Sequence, residues 1–192
     1  MTNKTCWLDI IEYDEAEASL KKTYDNVKSP NGQLDNLYKA FSLRAHTIKP
    51  ADDLYRAALH NANNTLPKWF SEFIGTYVAI LAGCEYAQAH HGHNFMHLFG
   101  DKEKAQTILD NLTCGNLAAC GNPKEVAALR YARKLCDEPD AISEEDLIRM
   151  TDIGWTHGDV LEVIQVVAMF SYFTRVINAT GISLGNETIG LY

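Results

Sequence analysis

Hydrophobic residues recur at helical spacing along almost the whole of this chain. The two most apolar stretches cover residues 69–81 and 160–177, and each is apolar around most of a helix circumference. No stretch shows the convincing alternation of apolar and polar residues that predicts a strand, and no repeat of solenoid length is present. The pattern therefore predicts an all-α protein in which the second stretch is a core or interface helix.

Proline, glycine and capping residues predict where the helices begin and end. An extended arm over residues 1–13 precedes a first helix, which Asp14 caps and which ends at Val27. A break at 29–32 is followed by a helix around 34–43, a further helix after Pro50 and a helix from 66–67 to a turn at Gly83. Cys84 opens the next helix, which ends at Gly100, and another helix runs from Asp101 to Leu112 before a loop over 113–122. The last three predicted helices start at Pro123, at Ser143 (ending near Gly154) and at Thr156 or Asp159 (ending at Gly181).

The composition adds a negative charge to this picture. The 192 residues include 25 Asp and Glu against 17 Lys and Arg, so the formal net charge is -8 and the pI is about 5.3. Nucleic acids and anionic membranes favour basic surfaces, so neither is an expected partner. A chain of this length can bury roughly 70% of its extended surface, and we interpret residues 1–192 as one domain. A small neutral or hydrophobic substrate fits this composition.

Neither the number nor the spacing of the cysteines fits a disulfide framework. The chain has five cysteines: Cys6, Cys84, Cys114, Cys120 and Cys136. The N-terminal residues also lack the apolar core of a signal peptide. Charged residues, Glu162 and Arg175 among them, interrupt the apolar run 160–177, so we do not expect it to span a membrane. These features together predict a protein of the reducing cytoplasm.

An acid, a thiol and several imidazoles lie close together in the sequence between residues 69 and 99. Glu72 lies in the first apolar helix, where an unpaired carboxylate would be costly, and His91 is its expected partner. Cys84 follows the turn at Gly83, and its spacing from His91 places both side chains on one face of the next helix. Because the N-terminal end of a helix is positive, we expect a lowered pKa and a reactive thiolate at Cys84.

This group of residues resembles a known active-site motif. The AhpD-like alkylhydroperoxidases of the carboxymuconolactone decarboxylase superfamily have the pattern E-x11-C-x-[HY]-C-x3-H. Four residues match it at the same spacing: Glu72, Cys84, Tyr86 and His91. The His-His-Gly sequence at 90–92 and the closing segment 154–182 are similar to the peroxidase-related branch of that family. Ala87 departs from the pattern, because it stands where the second cysteine of the motif belongs.

The resemblance implies an AhpD-like helical bundle that forms a homo-oligomer and uses no metal or other cofactor. It also implies thiol-dependent reduction of an alkyl hydroperoxide, an antioxidant activity, with Glu72, Cys84 and His91 as catalytic residues. In the family, the carboxylate orients the histidine, and the histidine accepts the proton of the attacking thiol. The resulting sulfenic acid condenses with the second cysteine, and a thiol reductant reopens the disulfide. Tyr86 and His90 are the implied pocket residues, together with the departing position, Ala87.

The missing cysteine leaves three interpretations of the function open. Cys84 matches the resolving position of the family, so a peroxidase with this single motif thiol would be attenuated, unless Cys114 or Cys120 can reach it. The decarboxylases of the superfamily act on a carboxylated lactone without a redox cysteine pair, and a histidine with an acid is sufficient for that proton movement. A non-catalytic, stress-related homologue is the third interpretation.

A zinc site is a further alternative for the histidines. His93 and His97 lie one helical turn apart, and two imidazoles at that spacing can bind one zinc ion. Spacing assigns no third ligand to them. We therefore predict no metal site.

Overall fold

Helices joined by short connections make up the structure. This computed structural model describes residues 4–191, and no strand occurs in that range. The α-helices in chain order are α1 (Ala18–Val27), α2 (Asn36–Ala40), α3 (Ile48–His60), α4 (Lys68–Leu81), α5 (Glu85–Phe99), α6 (Lys102–Thr113), α7 (Pro123–Asp137), α8 (Glu144–Asp152) and α9 (His157–Thr180). Short 3-10 turns lie at Tyr13–Glu15, Ser42–Thr47, Leu117–Ala119 and Pro139–Ala141. The prediction of an all-α protein is confirmed.

Helix α4 lies at the centre of the bundle, and all its residues from 70 to 79 are buried. It packs against α5 and α9 most extensively and against α7 and α3 at their edges. Gly75 permits the close approach of α9, because a Cβ atom at this position would lie 2.1 Å from the Phe170 ring. The burial of residues 70–79 explains why α4 is apolar around most of its circumference.

A tight turn folds α5 back onto α4. Gly83 adopts a left-handed conformation with φ of +60°, which glycine tolerates without strain. The N–H of Cys84 donates to the carbonyl of Ala79 at 2.9 Å, and the N–H of Gly83 donates to that of Ile80 at 3.0 Å. These two bonds form a Schellman motif, so the predicted turn at Gly83 is present. It brings the polar residues of α4 and α5 together.

The segment after α9, residues 182–191, is here called the C-terminal tail. It has no helix and crosses the bundle towards the loop that precedes α2. Gln33 and Thr188 exchange two hydrogen bonds, of 3.1 and 2.7 Å, which fix the tail to this loop. The N-terminal arm lies against the other end of the tail, where the N–H of Ser183 donates to the carbonyl of Thr5 at 3.0 Å.

Some predicted boundaries near the N-terminus are wrong. Asp14 lies in a 3-10 turn, and α1 begins only at Ala18. The predicted helix over 34–43 is the short α2 followed by a 3-10 turn, within which Arg44 leaves helical geometry. Pro50 does not separate two helices, because proline is tolerated in the first turn and α3 begins at Ile48. Residues 1–3 of the predicted arm lie outside the described residues.

Helix α9 is the long closing helix that the sequence predicts. Thr156 and Asp159 form a capping box at its start, and Gly181 ends it with φ of +64°. Its length and composition alone would suit a membrane span, and half of its most apolar stretch is buried. The core helix of a soluble bundle has the same properties, so the absence of a membrane span stays a prediction. The single-domain interpretation also stays a prediction.

We expect Gly75→Ala to destabilise the protein by about 1–3 kcal/mol, because its methyl group would overlap the Phe170 ring and separate α4 from α9. Gly158→Ala is the matched control on α9, since a Cβ there meets only Thr156, at 3.6 Å. Urea denaturation should show a loss for the first variant and no loss for the second. Equal stability of the two variants would contradict the close packing of α4 on α9.

Candidate active site

A buried carboxylate in α4 meets an imidazole in α5. Glu72 is 2% exposed, and its Oε2 lies 2.7 Å from Nδ1 of His91. Because a carboxylate can only accept, Nδ1 carries the proton and Nε2 of the neutral ring keeps its lone pair. The edge of the ring packs against Phe170, with 4.5 Å between the ring centroids. The structure therefore contains the predicted contact between Glu72 and His91.

Asn94 connects this pair to the C-terminal tail. Its Nδ2–H donates to Oε1 of Glu72 at 3.2 Å, so both carboxylate oxygens have a partner. Its Oδ1 accepts the N–H of Leu191 at 2.8 Å. Asn94 is itself buried. The tail and the carboxylate are thus held by the two ends of one amide group, which fixes the rotamer of Glu72.

A cavity of about 280 Å³ lies beside His91. It is bounded by α3, α5, α9, residues 27–38 and the tail. Apolar side chains cover much of the wall, among them Met169, Phe170 and Phe173 of α9. A mostly apolar enclosure with a few polar groups is typical of a site for a small organic molecule.

The structure divides the predicted site residues into two groups. His91 lines the cavity, and the predicted pocket residues Tyr86, Ala87 and His90 line it as well. Glu72 does not line the cavity itself and is connected to it through His91 and Asn94. Cys84 is 0% exposed and is not part of the cavity wall. The position that faces the cavity is the one where alanine replaces the second cysteine of the motif.

The expected lowering of the Cys84 pKa is wrong. Cys84 is the N-cap residue of α5, and the backbone N–H groups of Tyr86 and Ala87 do stabilise its thiolate. Burial outweighs them, because removing the thiol from water disfavours the charged form, and it raises the pKa of Cys84. The thiol is therefore protonated at neutral pH.

Among the described residues, no cysteine lines the cavity beside Ala87. Cys114 is exposed at the end of α6, and Cys120 is buried near it with its thiol against the carbonyls of Ile108 and Asn116. Neither cysteine lines the cavity. Within residues 4–191 all cysteines are free thiols.

His90 binds the tail. Its Nδ1 accepts the N–H of Gly190 at 3.2 Å, so the neutral ring carries its proton on Nε2. That Nε2 faces Oε2 of Glu187 at 3.5 Å, beyond a normal hydrogen bond, and both atoms are buried. Tyr86 packs on the His90 ring, and its pKa is raised by burial and by the nearby Glu187 carboxylate. In the described part of the chain no group of three or more His, Cys, Asp or Glu side chains could hold a metal ion.

Sequence reasoning missed several residues of this site. Asn94 follows His91 by three positions, and that helical spacing could have identified it. Asp52 and Arg56 lie on α3 at i, i+4 spacing, and Asp52 falls on the buried face of that helix, which is an informative place for a carboxylate. Asp35 and the tail lie in irregular segments, and hydrophobic periodicity does not predict where such segments lie in the fold.

Comparison with known proteins identifies the fold. No protein-family model matches the chain, and no curated protein matches it. Among solved structures, an uncharacterized peroxidase-related protein with an alkylhydroperoxidase AhpD core, from Ralstonia eutropha JMP134, has a TM-score of 0.82 and 19% identity, covering 95% of this chain and 93% of that chain. A peroxidase-related protein from Silicibacter sp. TM1040 has a TM-score of 0.79 and 20% identity, covering 94% and 92%. The chain therefore has the AhpD-like fold, and the fold prediction is confirmed.

An enzyme of a different activity shares this fold. The debrominase Bmp8 has a TM-score of 0.70 and 16% identity, covering 93% of this chain and 90% of that chain. A cysteine-to-alanine variant of it, in complex with 2,3,4-tribromopyrrole, has a TM-score of 0.69. Likeness at these identities shows the fold alone, so the activity of this chain must be argued from its own residues.

We expect iodoacetamide to alkylate Cys114 in the native protein and to modify Cys84 only after denaturation. Cys114 is exposed, whereas Cys84 is buried with a raised pKa and so offers little thiolate. Peptide mapping by mass spectrometry, with and without urea, measures both sites in one sample. Rapid native labelling of Cys84 would contradict its placement outside the cavity wall.

Proposed function

We propose that the cavity is the active site of an enzyme that transfers a proton on a small, largely apolar substrate. His91 is the base, and Glu72 is the residue that orients it. The observation that carries this proposal is the 2.7 Å hydrogen bond between them at the cavity wall, because it leaves Nε2 as the basic nitrogen. A carboxylate in this position also stabilises the imidazolium that forms when His91 accepts a proton.

The surroundings of the pair support this role. Asn94 holds the other oxygen of Glu72, so the carboxylate cannot rotate away from His91 without losing a hydrogen bond. Asp35 lines the same cavity, and burial raises the pKa of its carboxyl group. A base and a carboxyl that retains its proton more readily are the two partners that general acid–base catalysis needs.

Decarboxylation of a carboxylated lactone is one reaction in this class. The carbon–carbon bond to the carboxylate breaks, carbon dioxide leaves, and the electron pair remains on the substrate. His91, which has taken a proton from solvent on Nε2, gives that proton to the electron pair and returns to the neutral base. The protein has to bind the substrate and supply the proton, and no thiol takes part. The alanine at position 87 of the cavity wall is compatible with this chemistry.

Thiol-dependent reduction of a hydroperoxide is the second candidate. It is supported by the motif residues Glu72, Cys84 and His91 and by the fold shared with the peroxidase-related proteins. In this reaction the Cys84 thiolate attacks the peroxide oxygen, the O–O bond breaks, an alcohol leaves, and an external thiol reduces the sulfenic acid. The burial of Cys84 weighs against it, because the thiol has to be exposed before it can react.

His91→Ala should lower kcat/KM for a carboxylated lactone by about 100-fold or more, since general acid–base catalysis contributes on this order. Cys84→Ala should leave kcat/KM within about threefold of the native value. His97→Ala is the control on the same helix, outside the cavity wall. An activity with an organic hydroperoxide and dithiothreitol that is lost in Cys84→Ala would establish the second candidate instead. No turnover of either substrate by folded protein would support the non-catalytic interpretation.

Ala87→Cys tests the second candidate directly. The new thiol would lie three residues after Cys84, four residues before His91 and on the cavity wall, which is the arrangement of the AhpD-like motif. If the pocket is adapted to peroxide reduction, hydroperoxide turnover should rise well above the native level, and oxidation should join the two thiols. Mass spectrometry detects the disulfide as the loss of two hydrogens. Disulfide formation without faster turnover would remove the peroxidase candidate.

Assembly, localisation and the absence of nucleic-acid and membrane partners stay predictions. Exposed apolar side chains on α9, Leu161 and Tyr172, support the proposal of a homo-oligomer, since association would cover them. We also retain the proposals of a cytoplasmic location and, for the second candidate, of a thiol reductant as a partner in antioxidant defence.

A further inference from the structure

Helix α3 places an ion pair with a buried carboxylate in the cavity wall. Asp52 is 1% exposed, so its carboxylate requires partners. Its Oδ2 accepts Nε–H of Arg56 at 2.7 Å, and its Oδ1 accepts the hydroxyl of Tyr38 at 2.9 Å. All three residues line the cavity. Each oxygen of Asp52 is thus satisfied from within the protein.

This arrangement leaves most of the Arg56 guanidinium unused. Only its Nε–H donates to another described residue, so the two terminal amino groups make no hydrogen bond within residues 4–191. Those two groups form the planar fork that binds a carboxylate through two parallel hydrogen bonds. Because Asp52 holds the third nitrogen, the fork is fixed before a ligand arrives, which lowers the entropic cost of binding.

Arg56 lies where a ligand can reach it. Its side chain is 49% exposed and also lines the cavity, so it lies at the boundary between the cavity and solvent. The preceding residue, Tyr55, has its ring centroid 6.1 Å from that of His91. Tyr55, Arg56 and His91 all line this one cavity.

We infer that the cavity binds a small aromatic or unsaturated monocarboxylate whose carboxylate group pairs with Arg56. The apolar body of this ligand packs on Phe170 and Phe173, and its reacting atom lies at His91. The inference rests on the proposed function for the role of His91, and on α3 alone for the carboxylate site.

The charged residues that line the cavity favour a ligand with a single negative charge. Arg56 is the only lysine or arginine among the described residues that line the cavity, and Asp52 already balances part of its charge. Asp35 also lines the wall, and burial raises its pKa, which weakens its repulsion of an anion. A dianionic phosphate would bring a second charge for which the described wall offers no further lysine or arginine. A monocarboxylate with an apolar body fits both the charge and the lining.

Benzoate and benzamide test this inference, because they have nearly the same shape and differ in charge. Met169 lines the cavity, so its ¹³C-labelled methyl group reports binding by NMR. Benzoate should shift the Met169 signal in the full-length protein, and its Kd should be about tenfold lower than that of benzamide, as expected for a charge-assisted bond. The benzoate Kd should rise with sodium chloride while the benzamide Kd stays constant.

Substitutions of Arg56 should act on the anion alone. Arg56→Gln should raise the benzoate Kd about tenfold and leave the benzamide Kd unchanged, and Arg56→Lys should give an intermediate benzoate Kd. Lys49→Gln is the matched control: it removes one positive charge from an i, i+4 pair on the same helix, with Asp53, on the solvent side. It should change neither Kd. A thermal melt of each variant checks its fold. The salt titration uses the unmodified protein, so its result does not depend on whether a variant folds.

Equal affinities for benzoate and benzamide, a benzoate Kd that Arg56→Gln leaves unchanged, or no binding of benzoate would each overturn the inference. These titrations measure binding and not turnover, so their failure is distinct from that of the proposed function. An unaffected turnover in His91→Ala would remove the proposed function. That result would not change the measured preference for benzoate over benzamide, which tests the carboxylate site alone.

Discussion

A carboxylate buried in an apolar helix is the constraint on which this structure depends. Glu72 lies in the middle of α4, where water cannot reach it, so the fold has to supply its partners. The turn at Gly83 brings His91 to one oxygen, and Asn94 reaches the other. Removing either partner would leave a buried polar group without its hydrogen bond, which is costly, so the three side chains form one unit.

The sequence predicts the parts of this site that lie within one helix or across one tight turn. The apolar run of α4, the turn at Gly83 and the pairing of Glu72 with His91 all follow from spacing and burial. The environment of Cys84 could not be predicted in this way, because its pKa depends on how much water the packed bundle excludes. The tail and the loop with Asp35 were not foreseen either, since irregular segments take their positions from long-range contacts that leave no periodic pattern.

The motif residues at the start of α5 lie on two different sides of that helix, one towards the core and one towards the cavity. The first turn of α5 brings Cys84 into the core and residue 87 onto the cavity wall. The single cysteine of the motif therefore does not face the cavity. Ala87 gives the wall a methyl group at this position, and a methyl group cannot act as a nucleophile. The same fold occurs in a debrominase and in peroxidase-related proteins, so the fold alone does not assign a reaction to this chain.

The hydrogen bonds of Gly190 and Leu191 make the polar network of the site depend on a segment that has no helix. Nδ1 of His90 and Oδ1 of Asn94 accept the N–H groups of these two residues, and Asn94 in turn holds Glu72. Local opening of a segment costs less free energy than global unfolding. If the tail opens in this way, His90 and Asn94 lose these partners while the helices stay packed, so the apolar core and the fixed position of the carboxylate have separate stabilities.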